Sequence, residues 1–235
     1  MKIPISILFI IFAELPLCAQ SDFLVFPQVA DGAFNDGTSY RSTLMVQSLQ
    51  SSSPTTCIFR LYGMSATFDG LSGPAPALTI PSNGWLQTKS TGAQAFQSGY
   101  ATLTCTNPVF ANLSYAYYAG NTKLGEATVF GVRPALQFRL IADQTESGRL
   151  GVAIANDTDI RRDFTITLKR SDGTTFASAP MQVTARRSMA KFVDELVPSS
   201  LNQILEATIA APDFSSFTAV GLRFTGPVFT TIPAN

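Results

Sequence analysis

"FPQVADG" (residues 26–32) and "FRLIAD" (residues 138–143) share one skeleton: Phe, two variable residues, an aliphatic residue, then Ala-Asp. The two copies stand 112 residues apart, and the segments downstream of each correspond in order. "STLMVQSL" (42–49) matches "RLGVAIAN" (149–156), and "TTCIFRLYG" (55–63) matches "RDFTITLKR" (162–170). Turn residues with Asp-Gly come next, then "LTIPSNGWLQT" (78–88) against "MQVTARRSMAKF" (181–192), each a third strand and its corner. Both copies close on stretches that align without a gap, "ATLTCTNPVFANLSYAYYAG" (101–120) and "ATIAAPDFSSFTAVGLRFTG" (207–226). The offset drifts only at turns, where a duplicated fold tolerates insertions.

The runs alternate with period two. In "DFTITLKR" (163–170), Phe164, Ile166 and Leu168 face one way, with Thr165, Thr167 and Lys169 opposite, the pattern of a strand packed on one side. Val, Ile, Thr, Phe and Tyr fill the runs, while Ser, Gly, Asn and Pro punctuate them. The expectation is an all-β protein of two tandem immunoglobulin- or fibronectin-III-like β-sandwiches related by internal duplication, of about seven strands each, over residues 23–132 and 136–233. Phe26 and Phe138 would anchor the entering strands, and Asp31 and Asp143 would sit where the chain leaves them. Pro134 marks a short junction, so the halves should sit close. One stretch breaks the alternation: Met189, Phe192, Val193 and Leu196 fall at helical spacing and predict a helical turn near residues 190–196, ending before Pro198.

"MKIPISILFIIFAELPLCAQ" (1–20) reads as a secretory signal over residues 1–19, cleaved near Ala19–Gln20. A buried first element is one alternative. Lipid attachment at Cys18 is another, which the large Leu17 disfavours. The rest of the chain holds no apolar run of membrane length. The expectation is therefore a secreted protein, extracellular, periplasmic or at the cell surface, without a membrane span. In an oxidising compartment Cys57 and Cys105 would form a disulfide; two buried thiols are the alternative.

Acidic and basic residues balance, which leaves no electrostatic footprint for nucleic acid. The sequence has no histidine, which excludes Ser-His-Asp and Cys-His catalysis. It also lacks G-x-S-x-G, P-loop and G-x-G-x-x-G patterns. A hydrolase running on two carboxylates stays open as an alternative. "DGAFNDG" (31–37) and "NDTDIRRD" (156–163) concentrate Asp31, Asn35, Asp36, Asn156, Asp157, Asp159 and Asp163. Neither has EF-hand spacing, and Asn, Asp and Gly dominate ordinary turns. No metal and no cofactor are expected.

All six tyrosines and the single tryptophan fall in the first copy, whereas the second has phenylalanine only. Along "LSYAYYAG" (113–120), Leu113, Tyr115 and Tyr117 share a face and Tyr118 points away. Core or inter-domain packing is the plain reading of this set. Tyr40, Trp85, Tyr115, Tyr117 and Tyr118 are also candidates for binding an envelope or extracellular protein, or a glycan, because Tyr and Trp suit partly wet sites. Asn112 and Asn156 open N-x-[ST] triplets, a short pattern that carries little weight by itself.

"FPQVADG", "GVAIAN" (151–156) and the closing "GLRF" (221–224) with "TTIP" (230–233) resemble a secreted bacterial β-sandwich family of unassigned function. Its members carry F-P-x-[FV]-A-D-G-G-G-W near an N-terminus. The resemblance covers residues 23–233 and departs at "GAFNDGTSY" (32–40), where Tyr40 stands for the family's tryptophan. It implies the fold and export, and brings no catalytic residues. The functional expectation is a non-enzymatic exported protein with a structural, adhesion or protein-interaction role. A carbohydrate-binding module using the first-copy aromatics and a carboxylate-based hydrolase are the alternatives.

Overall fold

The computed structural model describes residues 21–213, 215–226 and 228–232, so the expected signal over residues 1–19 lies outside the described residues. The chain is all-β. The first half holds β1 (Asp22–Ala33), β2 (Thr38–Ser48), β3 (Thr55–Tyr62), β4 (Ala77–Ile80), β5 (Trp85–Lys89), β6 (Gln97–Cys105), β7 (Val109–Ala119) and β8 (Thr122–Phe130). The second holds β9 (Gln137–Asp143), β10 (Arg149–Asn156), β11 (Arg162–Lys169), β12 (Thr175–Val183), β13 (Arg187–Phe192), β14 (Ile204–Ala210), β15 (Thr218–Thr225) and β16 (Val228–Ile232). One helical turn, α1 (Val193–Leu196), comes directly after β13.

The strands form layers β4-β3-β6-β1 and β5-β2-β7-β8 in the first half, and β12-β11-β14-β9 and β13-β10-β15-β16 in the second. Counted from one to eight within each half, the two pairs of orders are the same. The stretches read as a third strand and its corner are each two strands in different layers, β4 and β5, then β12 and β13. That makes eight strands per half where about seven were expected. Immunoglobulin constant domains run A-B-E-D and C-F-G; lettered the same way, these halves run D-C-F-A and E-B-G-H. The C–F and B–E neighbours are common to both, but A and G have exchanged layers and D lies beside C. Alternation fixes which face a residue takes; it carries no information about which distant strand pairs.

"FPQVADG" occupies the crossing point between layers. Phe26 is fully buried. The register of β1 on β6 slips between Phe26 and Val29, where Pro27 has no N–H to donate. Asp31, opposite Gln97, is the last residue paired with β6; Gly32 and Ala33 pair instead with Tyr40 and Ser39 of β2. Gly32 has φ +106°, and a Cβ there would lie 2.5 Å from the Ala95 carbonyl oxygen. Gly32→Ala is expected to cost about 2–3 kcal/mol through backbone strain and the clash, read as a lower urea midpoint.

The second half uses its Ala-Asp differently. β9 stops at Asp143, whose carboxylate accepts from the Thr145 N–H at 3.0 Å and its hydroxyl at 2.6 Å. The same Asx turn recurs at Asp36 with Thr38, Asn156 with Thr158, Asp172 with Thr174 and Asp213 with Ser215. The Ser215 hydroxyl, then Arg162, bring the Asp213 carboxyl down to about 2.

The halves share their packing. Leu150, Val152 and Ile154 of β10 point into the second-half core. On its other face Ala153, with Val220, Leu222 and Phe229, joins the core of the first half. Small residues at Gly151, Ala153 and Ala155 let this sheet approach β1 closely. Across the same junction the Tyr100 hydroxyl donates to Asp157 at 2.8 Å. The linker is tied down as well: Val132 and Val25 exchange two backbone hydrogen bonds of 2.9 Å, and Arg133 reaches the buried Asp22 carboxylate at 2.7 Å.

The helical reading near 190–196 is corrected at its start. Met189 and Phe192 belong to β13, and the helix begins at the buried Val193. Arg149 lies 3.8 Å over the Phe192 ring and grips Asp194 with two hydrogen bonds, which holds the strand-to-helix corner. Cys57 and Cys105 are bonded. They face each other on β3 and β6, so the bridge lies within one layer, unlike the inter-sheet bridge of antibody domains.

Candidate functional site

The first half keeps one sheet face uncovered. In β2, Leu44 and Val46 point into the core, so Arg41, Thr43, Met45 and Gln47 point out. The pairing registers carry this parity across the layer. Trp85 (β5), Gln47 (β2) and Phe110 (β7) form one outward row; Gln87, Met45, Asn112 and Phe130 form the next. Lys89, Thr43, Ser114 and Thr128 form the third row, and Arg41, Ala116 and Glu126 the fourth. Trp85 is 65% exposed, Phe110 49%, Phe130 46% and Met45 39%. The Phe110 and Phe130 rings lie 6.2 Å apart. Four large apolar side chains therefore gather at one end of a single open face.

The other end is a polar groove of about 670 Å³. Arg41, Lys89 and Lys123 line it together with Asp69 and Glu126. Lys123 pairs with Glu126, which raises the lysine's pKa. Arg41 stacks over the Tyr118 ring at 4.8 Å. Among the described residues neither Arg41 nor Lys89 has a carboxylate at ion-pair distance.

The sequence-derived aromatics divide. Trp85 and Tyr118 lie on the outer face, whereas Tyr40, Tyr115 and Tyr117 lie on the inner one. Tyr40 packs on Tyr117 at 4.9 Å, and Tyr115 on Phe229 of the second half at 5.5 Å. Burial pushes the Tyr115 and Tyr40 hydroxyls up in pKa. Tyr40 and Tyr115, with Phe96, Phe192 and Phe224, line a cleft of about 210 Å³ between the halves. Met45, Phe110 and Phe130 escape a sequence reading as surface residues, because phenylalanine and methionine are ordinarily core types. The available signal is phase: Phe110 is out of step with Val109, Ala111 and Leu113, as Met45 is with Leu44 and Val46.

Asp31 lies beneath the groove, 3% exposed, and accepts from the Ser90 hydroxyl. Burial pushes its carboxyl above the ordinary range, against smaller opposing pulls from Ser90, Gly92, Ser42 and Arg41. The folded state thus holds this proton more tightly than the unfolded chain does. The Asp31 contribution to stability is fully present below the ordinary carboxylate pKa and declines as pH rises through the folded value. Asp31→Asn removes that decline. The melting temperature of the variant minus that of the wild type should therefore grow between about pH 4 and pH 7; a difference that stays flat over that range contradicts this account.

Three further acids of the two turn-rich loops have protein partners. Asp36 is held by Thr38, and Asp157 and Asp159 both accept from Arg186. Among the described residues no group of three or more Cys, Asp or Glu gathers at metal-binding distance. No helix of the described residues is long and apolar enough to cross a membrane. No family model matches this chain, nor does any curated protein or any solved structure.

Proposed function

We propose that this is an exported, non-enzymatic adhesion or interaction module, built of two tandem immunoglobulin-like sandwiches related by internal duplication. It docks on an extracellular partner through the outer face of β5-β2-β7-β8. Export rests on the leader-like residues 1–19 and on the disulfide. Duplication rests on the repeated F-x-x-[VI]-A-D skeleton together with the equal strand orders of the halves. The docking face rests on one observation: Trp85, Phe110, Phe130 and Met45 are exposed within two adjacent rows of one uncovered sheet. Aromatic residues and Met are the types enriched where proteins make contact.

The test is retention at the surface of the producing cell. The wild-type protein should fractionate with the envelope, and a Trp85→Ser, Phe110→Ser double variant should move into the medium, by about fivefold or more. Equal partition of the two proteins sinks the docking face. A carboxylate-based hydrolase is the second reading, favoured by Asp69 and Glu126 lining one groove. It requires hydrolysis of a glycan that Glu126→Gln abolishes.

A further inference from the structure

We infer that the ligand of this face is an extended, neutral polysaccharide chain; the inference rests on the docking face proposed above and names what lies on it. The first support is the interleaving of side chains. Trp85 and Phe110 flank Gln47 in one row, and Phe130 lies beside Asn112 in the next, with Gln87 and Met45 completing it. A pyranose ring presents apolar C–H faces and a rim of hydroxyls. A flat aromatic ring covers the first, and a side-chain amide, which both donates and accepts, answers the second. Here each exposed ring has an amide next to it.

The groove beyond continues the same chemistry. Arg41 and Lys89 offer donors, Asp69 offers an acceptor, and Lys123 and Glu126 neutralise each other. Hydroxyls can use both signs of this nearly balanced set. With that pair cancelled, a polycation would lie against Arg41 and Lys89, and a polyanion against Asp69.

The shape of the face argues against a globular partner. From Gln47 to Ser39 along β2 the face runs roughly 27 Å, and across its four strands about 14 Å, at ordinary strand spacing and rise. Between the outer strand axes the strip is therefore about twice as long as it is wide. A protein interface places its apolar residues at the centre with a polar rim. Here the rings, interleaved with amides, sit at one end and the charged groups at the other, which suits a chain lying along the strands.

The full chain is run through native gels containing a neutral glucan, mannan or xylan, with polygalacturonate and alginate as acidic comparators. At least one neutral polymer should retard it. Trp85→Ala and Phe110→Ala should each weaken retardation about tenfold. Both side chains are exposed, so the far-ultraviolet circular dichroism of the variants should match the wild type. Raising salt to about 0.5 M should change retardation less than twofold, because no ion pairing is involved. The inference falls if no neutral polymer retards the protein, or if only the acidic polymers do and salt releases them. It also falls, with the docking face left standing, if envelope retention depends on Trp85 while no polysaccharide binds; the partner is then a protein.

Discussion

Replacing Phe229 by alanine is expected to lower stability by about 3–5 kcal/mol, the range for truncating a well-packed aromatic. Phe229 is 4% exposed. It belongs to β16, yet its ring stacks on Tyr115 of β7 at 5.5 Å and on Phe224 at 5.3 Å, with Tyr40 at 6.3 Å. Deleting it opens a cavity in a core that residues of both halves build, and the surrounding sheets are too rigidly paired to collapse into it. Urea denaturation followed by tyrosine absorbance should show the loss, since all the tyrosines lie in the first half. Phe110→Ala is the control: its ring is half exposed, and the expected change is within about 0.5 kcal/mol. A midpoint for the Phe229 variant close to that of the control would show that the halves do not support each other.

Opening the Cys57–Cys105 bridge is the second large effect. The bridge closes a loop of 48 residues. On the chain-entropy account that closure is worth about 4 kcal/mol, because it restricts the unfolded chain more than the folded one. The loop includes β4, β5 and the long segment between β3 and β4, which otherwise depend on edge pairing. Urea curves of the oxidised protein and of a Cys57→Ala, Cys105→Ala double variant should differ by that amount. A difference under about 1 kcal/mol would mean that β3 and β6 stay paired in the unfolded chain.

Some of this architecture is legible residue by residue. "DFTITLKR" reads as a strand and is one, with Phe164, Ile166 and Leu168 buried. The paired cysteines read as a bridge, and Phe26 and Phe138 read as anchors. Local pattern suffices there, because burial of one face leaves a period in the sequence. The crossing of β1 between layers is not legible: it depends on Gly32 meeting the Ala95 backbone, a contact 63 residues distant in the chain. Met189 and Phe192 at helical spacing mislead for a related reason, since four residues cannot separate a helical period from a strand that turns a corner. The candidate site is half legible. Its tyrosines draw attention because they are concentrated in one half, and three of them face inward. Phe110 and Phe130 pass as core residues because hydrophobicity alone does not say which side of a sheet a ring takes.

The tie between Val25 and Val132, beside the Asp22–Arg133 pair, has a mechanical consequence. The chain enters and leaves the first half at the same point, so tension applied between the start of β1 and the second half passes straight across this tie. The layer that carries Trp85 and Phe110 hangs to one side of the load path and bears little of it. A molecule built this way can be pulled on while its outer β5-β2-β7-β8 face stays undeformed, until the tie itself gives way.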